Sequence, residues 1–217
     1  MTLAKTEALG WIGPEGLPGI HSLWQIGEES FRILLDARFK RQPASDITDA
    51  DVEAVTDTGD FAPGADHVQT RTITIAAPPE RVWPWLTQML RGGGVYGWRL
   101  LEHTSRPSLE HLIAGLPPPR VGDRAGQLFE LSVVEPPRRL AWRSVGPLKC
   151  LGATVSMLTL SYLLHSGEPG QTRLVIRTQG SCTGVTQPIA HYVFEALDFV
   201  LAAHQAIRLK NCVERRG

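Results

Sequence analysis

Three side chains near the C-terminus, His191, Glu195 and Asp198, stand at positions i, i+4 and i+7, so they share one face if the segment is helical. A histidine one turn from a carboxylate is suited to general acid–base work, because the carboxylate can orient the ring and stabilise its charged form. A solvated helix face has the same spacing, and that is the plainer reading of the trio. Neither an HExxH pattern nor a further obvious ligand accompanies it, so no metal is expected. Tyr96 joins His191 and Glu195 as a candidate for moving protons. A second set, Trp85, Tyr96, Trp98, Trp142, Tyr162 and Leu197, could line an apolar pocket, the aromatic members offering large apolar area with a polar tip. Each would serve equally well as core.

Other motifs carry less. Gly92-Gly93-Gly94 lacks the lysine and hydroxyl residue of a phosphate-binding loop and follows a helical pattern rather than a strand, so it reads as a turn. Ser181-Cys182-Thr183-Gly184 has no GxSxG elbow around it, and Cys182 has no basic neighbour to lower its pKa. Cys150, Cys182 and Cys212 are odd in number and form no CxxC pair, which argues against a disulfide framework or a zinc knuckle and for three reduced thiols. His204 falls on the apolar face of the terminal helical pattern, as a hydrogen-bonded core histidine would, and His165 stands beside a turn, where exposure is expected.

The elements that must position these residues are legible from periodicity. Residues 1–67 begin with an irregular arm rich in glycine and proline. From Ser22 to Arg41 the residues Leu23, Trp24, Phe31, Leu34, Leu35 and Phe39 recur at helical spacing up to Pro43. This amphipathic helix could dock on the main domain, pair two chains into a homodimer, or lie on a membrane, although its mixed polar face is a poor match for a membrane surface. Ser45 to Val55 allows a short acidic helix, and the stretch from Thr56 to Ala65 has linker composition. A domain of residues 68–217 follows. His67 to Ile75 reads as a strand and Glu80 to Leu90 as a helix, with Pro84 an objection to its regularity. Tyr96 to His103 and Ser108 to Gly115 suggest short helices. The period then falls to 2 through Phe129–Val133, Leu140–Arg143, Leu151–Leu164 and Thr172–Thr178, with the turn signal Ser166–Gly170 favouring antiparallel hairpins. Pro188 to Val213 carries a long helical pattern without internal glycine or proline.

Composition narrows the function classes. The 217 residues are 42% hydrophobic and 20% charged, ordinary globular usage, and 22 basic residues balance 22 acidic ones, so the clustered positive charge of a nucleic-acid binder is missing. No apolar run is long enough to span a bilayer, and Met1–Glu7 has no basic segment leading into an apolar one, so a cytoplasmic protein is expected.

The element order resembles that of the START-like superfamily, also called SRPBCC. Ile73-Thr74-Ile75-Ala76-Ala77-Pro78-Pro79-Glu80-Arg81-Val82-Trp83-Pro84-Trp85-Leu86 is similar to that group's opening motif, and Gly94–Trp98 with Leu101-Glu102 resembles the aromatic segment after it. Val121–Arg124, Val134–Leu140 and Thr172–Arg177 extend the likeness over about residues 68–215. Leu90, where a glycine is frequent, and the tail Leu201–Leu209 depart from the pattern. The resemblance implies an α+β helix-grip fold, a curved antiparallel sheet around a long C-terminal helix, here with an N-terminal helical extension. It also implies an apolar cavity, in a superfamily of lipid carriers, polyketide cyclases and dehydratases, receptors and oxygenase subunits. The oxygenase reading fails on the sequence, which has neither Rieske cysteine–histidine pairs nor an iron-binding facial triad. The preferred expectation is a binding protein that encloses an apolar or aromatic small molecule, lipid or polyketide-like, without a cofactor. The alternatives are a cyclase or dehydratase-type enzyme and a protein-interaction domain of co-chaperone type.

Overall fold

In β1, His67–Ile75, alternate residues turn to one side, and the run of β-branched side chains favours the extended backbone. Proline opens α1, Pro79–Gln88, at the position where its missing N–H costs least. The helix continues through Pro84, whose absent N–H removes a bond to the carbonyl of Glu80, an exposed residue. Five further strands follow as β2 (Arg124–Ala125), β3 (Phe129–Glu135), β4 (Arg139–Ser144), β5 (Leu148–Cys150) and β6 (Ala153–Ser166). Then come β7 (Thr172–Thr183) and the long helix α2 (Gln187–Glu214). The computed structural model describes Thr48 and residues 65–92, 109–125, 127–150, 153–184 and 187–215. Within these, the side chains of 148–150, 153, 187–197 and 199–201 are not described. Apart from Thr48 and Ala65, the expected arm, amphipathic helix, acidic helix and linker, and the short helix at Tyr96–His103, lie outside the described residues.

The strands form one seven-stranded sheet in the order β1-β7-β6-β4-β3-β2, with β5 paired to β6, and every pairing is antiparallel. Register shifts interrupt β3 between Leu131 and Val133 and β6 between Val155 and Met157. Such bulges bend a strand and increase its twist, which curves the sheet. Opposite the second bulge stands Gly180, where a Cβ would lie only 3.0 Å from the Met157 carbonyl oxygen, so the strands close up there only because the side chain is missing.

The concave face holds the core. Ile73 and Ile75 of β1, Leu174 and Ile176 of β7, Tyr162 and Leu164 of β6 and Leu140 and Trp142 of β4 are buried against Val82, Trp85, Leu86 and Met89 from α1 and Ala206, Leu209 and Val213 from α2. Ala202, Ala203 and Ala206 on α2 are small, which lets the helix settle close to the strands. Its C-terminal half is pinned by polar contacts. The Ala76 N–H donates to Glu214 Oε1 (2.7 Å), Lys210 Nζ donates to the Thr74 carbonyl (2.6 Å), and Arg81 Nη2 donates to the Val213 carbonyl (3.0 Å). A curved antiparallel sheet gripping a long terminal helix defines the α+β helix-grip fold.

Two local expectations change. Residues 109–115 form turns rather than a helix, because the Gln88 side chain takes up their backbone, Nε2 donating to the His111 carbonyl and Oε1 accepting from the Ile113 N–H (3.2 and 3.0 Å). The helix α1 ends at Gln88 rather than at Leu90, and Leu90 adopts a left-handed backbone with φ 61°. That conformation is the one glycine accepts most easily, which accounts for the glycine expected at this position and leaves the leucine here unexplained.

Thr172 is fully buried where β7 begins, and its hydroxyl donates to the Ala77 carbonyl in the β1–α1 turn (2.6 Å). Thr172→Val keeps the shape but leaves that carbonyl without its donor, so the change is expected to cost about 1–2 kcal/mol, read as a lower urea midpoint at unchanged slope.

Candidate functional site

Strand alternation places His67, Gln69 and Arg71 on the same face of β1 as Ile73 and Ile75, so the face turned towards α2 is polar at one end and apolar at the other. At the polar end Asp198 descends from α2 and is 9% exposed. Arg71 Nη1 donates to Asp198 Oδ2 at 3.0 Å, and Arg71 Nη2 donates to Gln69 Oε1. The Nε2 of His67, itself buried, stands 3.8 Å from the same Asp198 oxygen, within ion-pair range when the ring is protonated. Thr178 adds a hydroxyl from β7, opposite Gln69 across the strand pair.

Burial by itself would raise the Asp198 pKa. The contacts from His67, Arg71 and Thr178 outweigh it, and the carboxyl titrates below its ordinary value, so it is ionised at neutral pH. About two helical turns further on, Gln205 accepts a hydrogen bond from the Tyr162 hydroxyl (2.8 Å). Burial, reinforced by the Asp198 charge, pushes the Tyr162 phenol well above its ordinary pKa, so it is a hydrogen-bond donor and not a base.

The aromatic candidates divide. Trp85 is 3% exposed and packs from α1 into the core, and Trp142 and Tyr162 lie on the concave face of the sheet. Trp142 is fully buried with its Nε1 hydrogen facing no acceptor among the described residues. Tyr96 and Trp98 lie outside the described residues. His191, Glu195 and Leu197 fall within α2, but their side chains are not described. Asp198 departs from the solvated-face expectation for its trio, since it is buried and paired with β1. His67 and Arg71 were not singled out from the sequence. The signal was available, for His67-Val68-Gln69-Thr70-Arg71 puts three polar side chains on the very positions whose continuation, Ile73 and Ile75, is core.

Among the described residues no group of three or more His, Cys, Asp or Glu side chains is placed to hold a metal ion. Cys182 is buried at the end of β7, and its N–H is bonded by the Asp66 carboxylate (3.0 Å). No described helix is long and apolar enough to cross a membrane.

No family model matches the sequence, and no curated protein does. Solved structures similar to this chain include the Zhui aromatase/cyclase from Streptomyces sp. R1128, at 16% identity over 69% of this chain and 94% of that one, with a TM-score of 0.46. Protein NE0264 from Nitrosomonas europaea matches at 17% identity over 69% and 95% with a TM-score of 0.46. A conserved protein from Geobacillus kaustophilus matches at 13% over 69% and 96% with the same score. Strand, helix, a run of antiparallel strands and a long helix seated in their concavity make up a helix-grip fold.

Asp198 links this geometry to pH. Its pKa is depressed on folding, so its contribution to stability is fully present above the unfolded carboxylate value of about 4 and is lost as pH falls through the lower folded value. Asp198→Asn is expected to cost about 1.5–3 kcal/mol at pH 7 and to flatten the fall of stability in acid. Equilibrium unfolding at a series of pH values measures both effects.

Proposed function

We propose that the chain is a small-molecule-binding protein, whose ligand occupies the space between α2 and the concave face of the sheet and is apolar or aromatic with a hydrogen-bond acceptor. The observation that carries this reading is the Trp142 indole N–H, fully buried among Leu131, Leu140 and Tyr162, with no acceptor among the described residues. A buried donor without a partner costs about 1–3 kcal/mol, and a carbonyl or ether oxygen on a bound molecule would relieve that cost. A largely apolar wall with few polar groups is the usual make-up of a ligand pocket. Tyr96, Trp98 and Leu197 are proposed to complete the wall, with Trp85 behind it.

A second reading, an acid–base enzyme of cyclase or dehydratase type, is favoured by the cluster at the polar end. There a buried histidine lies against an ionised aspartate that is itself held by Arg71. His67 would exchange the proton, Asp198 would stabilise the charged ring, and the apolar wall would hold a flexible substrate in a reactive pose. His191, Glu195 and Tyr96 remain proton-transfer candidates under this reading.

Native mass spectrometry of the purified protein, followed by denaturing extraction, is expected to reveal a co-purifying apolar molecule. In parallel, 1-anilinonaphthalene-8-sulfonate is expected to bind with a fluorescence rise that the extracted molecule competes away. Trp142→Phe should weaken the extracted molecule about 5–10-fold, the loss of one hydrogen bond, without lowering the thermal midpoint. A protein that carries no molecule and takes up no dye would sink the binding reading. Recovery of a chemically altered product, abolished by His67→Asn with binding retained, would move the assignment to the enzyme.

A further inference from the structure

The sheet has a second face, turned away from both described helices. Ala141, Thr159, Ser161, Leu163, Val175 and Gln179 point to it, as the pairing of β4, β6 and β7 requires. In a bare antiparallel sheet such a row meets water. Here these residues are 0%, 1%, 5%, 1%, 0% and 5% exposed, and Ala141, Leu163 and Val175 lie outside the core cluster that α1 and α2 cover. Arg139, Arg143, Arg173, Arg177 and His165 share this face with Glu135 and Glu130, which pair with Arg139 and Arg143, so its surroundings stay basic on balance. His165, expected to be exposed, is half-buried, with its Nε2 screened from solvent.

The N-terminal region has matching chemistry. Leu23, Trp24, Phe31, Leu34 and Leu35 form an apolar stripe at helical spacing. The stretch that follows carries Asp46, Asp49, Asp51, Glu53, Asp57 and Asp60, and no lysine or arginine occurs from Gln42 to Asp66. The chain then enters β1, an edge strand paired with β7, which leaves it about 15 Å, three strand spacings, from β4. Six extended residues span about 20 Å, and a 20-residue helix is about 30 Å long, so the segment reaches the whole face. Residues 93–108 suit the position less well, because Gln88 and Arg91 tie both ends of that stretch together beside α1.

We propose that residues 22–60 of the same chain cover the convex face, the apolar stripe lying on Ala141, Leu163 and Val175 and the acidic stretch meeting the arginines. The molecule is then three layers deep, with α2 and the extension on opposite sides of one sheet. The concave side is left to the ligand, and the extension is an intramolecular cover rather than a dimerisation arm.

The test uses the full-length protein with a specific protease site inserted after Gly59. After cleavage, the N-terminal fragment is expected to co-elute with the domain on gel filtration at the mass of one chain. The double substitution Leu34→Asp with Leu35→Asp, which leaves the sheet unaltered, is expected to release it, while Trp142→Phe does not. A fragment that separates from a domain still folded by circular dichroism overturns the proposal, and so does one that stays bound despite the two aspartates. Co-elution at the mass of two chains, with exchange of the fragment between tagged and untagged copies, would assign the face to a second copy instead.

Discussion

Seating α2 in the hollow of the sheet is the contact on which the rest of the molecule depends. Leu209 and Val213 are almost wholly buried there, and with Ala206 they close the core against Ile73, Leu174 and Trp85. Burying apolar area is the main favourable contribution to folding, at about 25 cal/mol per Å² removed from water, but it has no direction. The register of the helix along the sheet comes from polar contacts near its middle and at its C-terminal end. Lys210 and Glu214 bond to the end of β1 and the turn after it, and Asp198 bonds to Arg71 nearer the start of β1. A helix held this way presents a fixed row of side chains to the strands.

The Arg71–Asp198 pair therefore has two roles that pull in different directions. As a fastening it is an expensive choice, since removing charges from water offsets much of their attraction, and an apolar pair of similar volume could hold the helix as well. As a part of a site it supplies what an apolar pair cannot, an ionised carboxylate beside His67 in a largely dry environment. Tyr162 and Gln205 extend the polar strip along α2 towards the core, with the phenol kept protonated by burial and by the Asp198 charge. The polar groups of the concave side are thus gathered along one line, and Trp142 stands apart from them in the apolar wall.

The curvature that makes the hollow has local causes. Bulges in β3 and β6 bend the sheet, and Gly180 permits the close approach opposite one of them. Curving a sheet also makes its two faces unequal, and the buried convex residues Leu163 and Val175 show that both faces are covered.

The sequence by itself determined the elements with strong periodicity. β1 lies where its β-branched alternation ends at Ile75, and α2 spans the region where apolar residues recur without a glycine or proline. Those patterns are local, set by backbone propensity and by one buried face. Where a neighbour distant in the chain decides, the pattern misleads. Residues 109–115 carry helical spacing yet are held as turns by Gln88, and Leu90 takes a left-handed backbone that its own type disfavours. Asp198 has the spacing of a solvated helix face, and only the tertiary structure brings Arg71 to it from 127 residues away. A charge near the centre of a helix is compatible with water or with burial, and the difference lies in whether folding delivers an opposite charge to meet it.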